Sequence, residues 1–266
     1  MINSNNKPLE KIKLFLMDMD GTVYLGNNKI EGAFEALETL RSMGKRICFL
    51  TNNSSRSIST YIKKLETVYD FNTNADEVYT SALATQEFLK NKHPNAKVFL
   101  LATPDVQKEF INAGINVVED DPDIVIVCFD TTLKYDRLYK ACQYINNGKL
   151  YVATHPDNFC PAPDGPMPDV GAFIAMIEKT VEKLPDVIIG KPYNEMAEAV
   201  QHKFGLDKQE IAMVGDRLYT DIRFGVDNGF TSILVLTGET TREMLETSSI
   251  KPTVTLNTFA DVLDLV

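Results

Sequence analysis

Short apolar runs alternate with amphipathic segments along most of this 266-residue chain. Residues 14–17 are all apolar, which is typical of a parallel strand that is buried on both faces. Between such runs, apolar side chains recur at helical spacing, as at Phe34, Leu37 and Leu40. Alternating strands and helices predict an α/β fold with parallel sheets. Further strands are predicted at residues 46–50, 98–101, 124–129, 150–153, 187–189, 211–214 and 232–236.

The alternation starts afresh in the middle of the chain, which indicates two α/β units with the second inserted into the first. We predict that residues 1–80 and 187–266 form one domain and that residues 81–186 form the insert. The strand at 187–189 is expected to return the chain to the first sheet. Residues 156–168 are rich in proline and predict a long loop, and loops of that length are often functional.

Composition narrows the range of partners and locations. The formal charge of −10 disfavours a nucleic-acid polymer or an anionic membrane as a partner, because both attract basic surfaces. The four cysteines include no CxxC pair, which suits a reducing cytoplasm. No apolar leader precedes Lys13, and no apolar run reaches the length of a membrane span. We therefore expect a soluble, cytoplasmic protein.

The first buried strand ends at two carboxylates, Asp18 and Asp20, followed by Gly21. Ligands of open α/β sheets bind outside the carboxyl ends of the strands, so these aspartates lie where a site is expected. Two bare carboxylates this close would repel each other, and a cation or a proton would relieve that repulsion. An ordinary Asp-Gly turn is the alternative interpretation.

Polar residues also follow other predicted strands, and in one parallel sheet all such ends share an edge. Carboxylates there suit Mg²⁺, which prefers oxygen ligands and substrate phosphate, whereas lysine and threonine bind phosphoryl oxygens. An aspartate can also be the nucleophile of a two-step phosphoryl transfer. The polar residues at these ends are Thr51, Asn52, Asn53, Lys191, Asp216 and Asp221.

The order of these motifs resembles that of the haloacid dehalogenase-type phosphatases. The motifs are Asp18-x-Asp20-Gly21-Thr22, Thr51-Asn52-Asn53-Ser54-Ser55, Gly190-Lys191-Pro192 and Gly215-Asp216-Arg217-x-x-x-Asp221. The likeness is strongest to the NagD-like branch of sugar-phosphate, p-nitrophenyl and phosphoglycolate phosphatases. The resemblance implies a Rossmann-like parallel-sheet core and an inserted α/β cap that selects the substrate.

The resemblance assigns the four aspartates distinct tasks. Asp18 is expected to attack phosphorus, while Asp20 protonates the leaving oxygen and later activates water. The Asp18 side chain, the Asp20 main-chain carbonyl and Asp216 are the expected ligands of Mg²⁺. Asp221 is expected to orient those ligands from behind.

The resemblance also implies a phosphate-binding set. Thr51, Asn52 and Lys191 are expected to neutralise the phosphoryl oxygens, with help from Asn53. Taken one at a time, each has an ordinary alternative: Thr51 as a helix cap, for example, or Lys191 as a surface lysine.

Three cap residues are candidates for substrate contact: His155, Asp157 and Asp130. His155 stands in a Thr-His-Pro-Asp sequence where the resembled family usually has Thr-Asn-Pro-Asp, so the substrate does not carry over directly. Residues 163–169 resemble the specificity segment of the cap.

The leading hypothesis is a Mg²⁺-dependent phosphatase acting on a small phosphorylated metabolite such as a sugar phosphate, a nucleotide or a glycolytic-type compound. A dehalogenase is disfavoured, because halide loss needs no proton donor such as Asp20. A phosphotransferase or mutase on the same fold stays open, as does a non-catalytic phosphosugar-binding module. The resemblance also leaves room for a homodimer formed through the cap.

Overall fold

A computed structural model describes residues 7–162 and 164–266 of the chain, so Pro163 of the predicted specificity segment lies outside the described residues. Its strands coincide with the apolar runs, with several short additions. In chain order they are β1 (Leu14–Met17), β2 (Tyr24–Leu25), β3 (Asn28–Lys29), β4 (Arg46–Thr51), β5 (Val78–Thr80), β6 (Lys97–Leu101), β7 (Asn116–Val117), β8 (Ile124–Val127), β9 (Leu150–Ala153), β10 (Phe159–Cys160), β11 (Met167–Pro168), β12 (Val187–Ile188), β13 (Ile211–Gly215), β14 (Thr231–Val235) and β15 (Val254–Leu256).

Helices connect most of these strands. They are α1 (Ala33–Ser42), α2 (Ile58–Tyr69), α3 (Ser81–Lys92), α4 (Pro104–Asn112), α5 (Tyr135–Asn146), α6 (Val170–Val181), α7 (Asn194–Phe204), α8 (Arg223–Asn228) and α9 (Arg242–Thr247). A π-helical turn at Leu218–Ile222 precedes α8. None of the helices in the described ranges combines the length and the apolar character needed to cross a membrane.

The first of two compact units contains the described residues up to Thr51 together with Tyr61–Tyr79 and Val200–Val266. Its six-stranded sheet has the order β15-β14-β13-β1-β4-β5. β1 is central and runs parallel to both neighbours, with Phe15 opposite Ala212 on one side and Ile47 on the other. Every residue of β1 and β13 is buried, which explains why both strands lack polar side chains.

The second unit contains Asn52–Thr60 and Thr80–Ala199. Its five-stranded sheet has the order β12-β9-β8-β6-β7, and all of its strands pair in parallel. Apolar side chains of α5 and α6, including Ile145 and Ile177, pack on this sheet with Phe99 and Tyr151. The α/β prediction is thus confirmed in both units.

The predicted position of the strand at 187–189 is wrong. β12 pairs with β9 of the second sheet, Val187 opposite Val152, and does not join the first sheet. Lys191 therefore follows a strand of the second sheet, so the strand ends that carry the polar motifs do not share one sheet edge. Two consecutive strand residues carry no mark of their partner, because pairing is set by hydrogen bonds to a distant segment.

The two compact units and the predicted domains have different limits. The second unit takes in Asn52–Thr60 and extends to Ala199, whereas the predicted insert covered residues 81–186. Both ends of that difference carry motif residues, Asn52 at one and Lys191 at the other. The roles of catalytic core and cap remain a prediction for these segments.

Candidate active site

Asp18 begins the site of the first unit. It follows β1 directly, and its N–H donates to the carbonyl oxygen of Val214 at 2.9 Å. Val214 lies on the parallel neighbour β13, which ends one residue later at Gly215. Because adjacent parallel strands end at the same level, Asp18 and Asp216 leave the sheet side by side.

Three carboxylates of the first unit converge. One oxygen each of Asp18, Asp216 and Asp221 lie within 4.8 Å of one another. Asp216 and Asp221 are 3% and 1% exposed, and Asp18 is half-buried. Asp221 joins them because the π-helical turn after β13 brings it back over the strand end. We call Asp18, Asp216 and Asp221 the carboxylate cluster.

The Asp216 carboxylate is the most confined member of this cluster. Its burial, and next the charge of Asp221, raise its pKa to about 6. Oδ2 accepts a hydrogen bond from the Glu239 N–H at 2.7 Å, while the buried Oδ1 has no hydrogen-bond partner among the described residues. A buried oxygen without a donor, beside two further carboxylates, fits a hard divalent cation with oxygen ligands.

Glycines leave the room that the carboxylate cluster occupies. A Cβ atom on Gly21 would lie 2.4 Å from Asp216 Oδ2, and one on Gly238 would lie 2.0 Å from the same oxygen. A Cβ on Gly215 would lie 2.3 Å from the Asp221 Cβ. Gly21 also has a φ of +85°, in the region that glycine adopts without strain. A side chain at Gly21 is therefore excluded both by steric overlap and by the positive φ. At Gly215 and Gly238 it is excluded by steric overlap.

Arg217 is a charged neighbour that the sequence analysis did not single out. Although burial opposes its charged form, the negative charges of Asp18 and other nearby groups raise its pKa. Its Nε lies 3.0 Å from Glu239 Oε2, and its main-chain N–H donates to Asp221 Oδ2 at 3.3 Å. Its position directly after Asp216 was the available signal.

Asp20 is not a member of the carboxylate cluster and has a different environment. The residue is exposed, yet partial loss of hydration raises the pKa of its carboxyl group, against the lowering effect of Lys64 and of a hydrogen bond from the Gly26 backbone. A raised pKa favours a carboxyl that carries a proton part of the time, which suits a proton donor.

Thr51 and Asn52 are neighbours in sequence but belong to different units. Thr51 is the half-buried last residue of β4 in the first unit. Asn52 is buried in the second unit, where its side chain holds the main chain of Lys191 from both sides. Its Oδ1 accepts from the Lys191 N–H at 2.8 Å, and its Nδ2 donates to the Lys191 carbonyl at 2.9 Å.

Lys191 reaches Asn52 because of β12. Beyond that strand, the Gly190 N–H donates to the Thr154 carbonyl at 2.8 Å, which keeps the chain beside the end of β9. Lys191 is 2% exposed, and it is followed by a cis peptide bond to Pro192. A lysine this buried is unusual for a merely solvated side chain.

The predicted cap residues fall into two groups. Asp157 lies beside Asn52, whose Nδ2 donates to Asp157 Oδ2 at 3.1 Å, and His155 is fully buried nearby. Asp130 instead accepts from the N–H and hydroxyl of Thr132 at 2.8 and 2.7 Å, as the start of a local turn.

Asn53 also supports a local turn, since its Oδ1 accepts from the N–H and hydroxyl of Ser55 at 2.9 and 2.8 Å. Asp169 is a buried acid that the sequence analysis placed in the specificity segment without a role of its own. Its position just before an apolar helix indicated only that its side chain caps the helix N-terminus.

Comparison with known proteins places this site in context. The family profile described as haloacid dehalogenase-like hydrolase matches residues 15–116, and a second profile of HAD-like hydrolases matches residues 188–262. An acid sugar phosphatase of Staphylococcus saprophyticus is 34% identical over 257 residues, covering 96% of this chain and 98% of that protein. That of Staphylococcus epidermidis is 32% identical over 246 residues, covering 92% and 94%.

Solved structures agree with these sequence relatives. A 4-nitrophenylphosphatase from Thermotoga maritima superposes with a TM-score of 0.92 at 44% identity, covering 96% of this chain and 98% of that one. NagD from Escherichia coli gives a TM-score of 0.87 at 29% identity, covering 94% and 98%. The similarity extends over both units and includes the stretches that carry the carboxylate cluster and Lys191.

Proposed function

The chain belongs to the haloacid dehalogenase-like hydrolases, and on that premise we propose that it is a phosphatase that hydrolyses small phosphomonoesters. Sugar phosphates, nucleotides and glycolytic-type metabolites are the substrate classes. The observation that carries this proposal is the carboxylate cluster, whose buried Asp216 Oδ1 lacks a hydrogen bond among the described residues. The phosphatases named among the relatives support the same reaction type.

The proposed reaction has two steps. In the first, an oxygen of Asp18 attacks phosphorus, the bond from phosphorus to the substrate oxygen breaks, and Asp20 gives its proton to that leaving oxygen. In the second, Asp20 takes a proton from water, the water oxygen attacks phosphorus, and the aspartyl phosphate breaks to regenerate Asp18 and release inorganic phosphate. The raised pKa of Asp20 supports its part in both transfers.

Mg²⁺ is the proposed cofactor, and the carboxylate cluster would hold it. Asp18 and Asp216 would be side-chain ligands, the Asp20 carbonyl a main-chain ligand, and Asp221 would orient them. When bound, the cation would neutralise charge on the phosphoryl group and keep Asp18 ionised. Gly21, Gly215 and Gly238 support this arrangement, because they leave the carboxylates free of steric contact.

Thr51, Asn52 and Lys191 are the proposed phosphate-binding residues, and Asn53 is a lesser member of the set. Lys191 would supply the positive charge, since a lysine binds phosphoryl oxygens as a point charge. The hydrogen bonds from Asn52 to its main chain support a fixed position for this residue. Replacement of Lys191 by Met is expected to lower kcat/KM by about 100-fold in a phosphate-release assay.

The substrate-selecting segment, the location and the assembly of the protein are further parts of the proposal. We propose that residues 81–186 act as the cap that selects the substrate, with His155, Asp157 and Asp130 as the candidate residues. The cytoplasm is the proposed location, and a homodimer formed through the cap is the proposed assembly, which sedimentation measurements would test.

The proposal is tested with p-nitrophenyl phosphate in the presence of Mg²⁺. We expect p-nitrophenolate and inorganic phosphate in equal amounts, and loss of both with EDTA until Mg²⁺ is restored. Asp18→Asn is expected to reduce release by at least about 1,000-fold, because an amide is a poor nucleophile.

The matched control is Asp227→Asn, which removes an exposed carboxylate that pairs with Arg223 within one turn of α8. It is expected to leave the rate unchanged. Normal release by Asp18→Asn, or release that EDTA does not affect, would contradict the mechanism. More p-nitrophenolate than phosphate would instead indicate transfer to another acceptor. A panel of sugar, nucleotide and glycolytic phosphates then identifies the preferred class.

A further inference from the structure

His155 is a fully buried imidazole between two acids of the second unit. Its Nδ1 lies 3.6 Å from Asp157 Oδ2, and its Nε2 lies 3.4 Å from Asp169 Oδ1. Neither ring nitrogen has a hydrogen-bond partner among the described residues, although the side chain is 0% exposed. A buried polar atom without a hydrogen bond destabilises the folded state. The placement of a histidine between two acids at this position therefore requires an explanation.

The two acids link His155 to the phosphate-binding set. Both carboxylate oxygens of Asp157 accept from the Asn52 amide, Oδ2 at 3.1 Å and Oδ1 at 3.3 Å. The same amide group holds the N–H and the carbonyl of Lys191. A continuous polar series therefore runs inside one unit from Asp169 through His155, Asp157 and Asn52 to the Lys191 main chain. We call it the buried relay.

The start of α6 supports the Asp169 end of the buried relay. Asp169 caps α6, its Oδ1 accepting from the Val170 N–H at 2.7 Å. The Gly171 N–H donates to the Asp157 carbonyl at 2.8 Å, and a Cβ on Gly171 would lie 2.3 Å from the Pro156 carbonyl. The loop that carries His155 and Asp157 is thus packed directly on the start of a helix.

The protonation states suit the close contacts that the two acids make with the His155 ring. Burial lowers the pKa of His155 to about 4, with Lys191 lowering it further and Asp157 opposing. Burial raises the pKa of Asp169 to about 8, helped by Asp157 and opposed by the Val170 N–H. At neutral pH, Asp169 then carries the proton and His155 is uncharged. A protonated carboxyl presents a proton on the Nε2 side of the ring, and the proton of the neutral imidazole is then on Nδ1, the nitrogen that faces Asp157.

We propose that Asp169 and His155 are positioning residues that hold Asp157 against Asn52 and thereby fix the main chain of Lys191. The consequence for catalysis rests on the proposed function, in which Lys191 binds the phosphoryl group. The competing interpretation is that His155 only fills space in the core. That interpretation predicts that an aromatic ring of similar size without nitrogens serves equally well.

The test is His155→Phe, read out by amide hydrogen exchange at Lys191, whose N–H donates to Asn52 Oδ1. We expect the protection of this amide to fall by about 10-fold, since the loss of one supporting polar contact weakens a hydrogen bond by roughly that factor. The Thr154 amide, which donates to Val127, is the internal reference and should keep its protection. The kcat/KM for p-nitrophenyl phosphate is expected to fall by a similar factor.

Tyr151→Phe is the matched control, because the buried Tyr151 hydroxyl also lacks a hydrogen-bond partner in the described ranges. It should change neither measurement. Asp157→Ala provides a second variant if His155→Phe does not fold, since the Asp157 side chain is 19% exposed. It too should expose the Lys191 amide to exchange.

Unchanged Lys191 protection in the folded variants would overturn the inference, whatever happens to the rate. Loss of protection with loss of activity supports it. Loss of protection in a protein that never releases phosphate would leave the relay standing and contradict the proposed function instead.

Discussion

The carboxylate cluster of the first unit and the buried relay of the second are both buried groups of acids, but they balance charge differently. In the cluster, three carboxylates face one another and Asp216 Oδ1 has no donor in the described part of the chain. In the relay, an imidazole separates the two acids, an amide links Asp157 to the Lys191 main chain, and burial keeps Asp169 protonated at neutral pH.

This difference in charge balance indicates that the carboxylate cluster is a binding site and that the buried relay is a structural support. A group of like charges that cannot satisfy one another calls for a ligand of opposite charge, which is why we assign the cluster to a cation. A group whose charges are neutralised by protons and internal donors needs no ligand, and its contribution is geometry. Burial and acidity alone do not distinguish the two.

The largest expected effect comes from removing a charge from the carboxylate cluster. Asp216→Asn is expected to reduce kcat/KM for p-nitrophenyl phosphate by about 1,000-fold, because charge stabilisation by a bound cation contributes several kcal/mol to the transition state. Calorimetric titration with Mg²⁺ should show weaker binding as well. Asp264→Asn, at an exposed aspartate of the same unit, is the control. Wild-type Mg²⁺ affinity in Asp216→Asn would mean that the cluster is not the cation site.

A smaller effect is expected from crowding the cluster without changing its charge. The methyl carbon added by Gly238→Ala would lie 2.0 Å from Asp216 Oδ2. This distance is too short for two non-bonded atoms, so the Asp216 carboxylate has to move. A displacement of about 1 Å at a reacting centre costs roughly 100-fold in rate, so we expect a loss of that size in kcat.

Gly205→Ala is the control for Gly238→Ala. Gly205 has a φ of +62° and nothing within 4 Å of a built Cβ, so this change adds backbone strain without crowding any group. It should lower the melting temperature and leave the rate of the folded enzyme unchanged. Full activity in Gly238→Ala would show that the cluster tolerates displacement.

The smallest effect concerns the relay and appears in stability. Folding raises the pKa of Asp169 from 3.8 to about 8, so the folded state holds a proton that the unfolded state releases, and stability falls as pH rises through this window. His155, whose pKa falls from 6.5 to about 4, acts in the opposite sense only below pH 6.5. Between pH 6.5 and 8 we therefore expect a loss of about 1–2 kcal/mol.

Asp169→Asn should remove that loss, because asparagine keeps the cap and a donor for His155 but does not titrate. The free energy of unfolding, measured with urea at pH 6.5 and pH 8, gives this loss for both proteins. Asp157 and Lys191 also face this imidazole, so both stay unchanged in the comparison. The same fall in stability in Asp169→Asn as in the wild type would rule out Asp169 as its source.

The carboxylate cluster could be predicted well from the sequence. Asp18 and Asp216 each follow an apolar run of a buried parallel strand, and such strands end at a common edge. The position of Asp221 was less accessible, because a π-helical turn decides which side chain returns to the strand end. Arg217 was missed because charged residues after strands are common and only its neighbours mark it out.

The relay was not predictable as a unit. Asn52 lies 139 positions from Lys191 and 105 from Asp157, and no local pattern links residues over such separations. The expectation that Lys191 follows a strand of the first sheet failed for the same reason. β12 has two residues, and its partner β9 is specified by packing of the second unit.

The sequence by itself determined the two α/β patterns, the strands that end in acids, and the membership of the chain in a hydrolase family. These features depend on local order, which buried strands and their turns express directly as apolar runs followed by polar residues. Only the tertiary structure decided that β12 belongs to the second sheet, that Asp221 completes the carboxylate cluster, and that His155 lies between two acids. Those outcomes depend on which distant segments exclude water from one another, and a linear pattern does not record that choice.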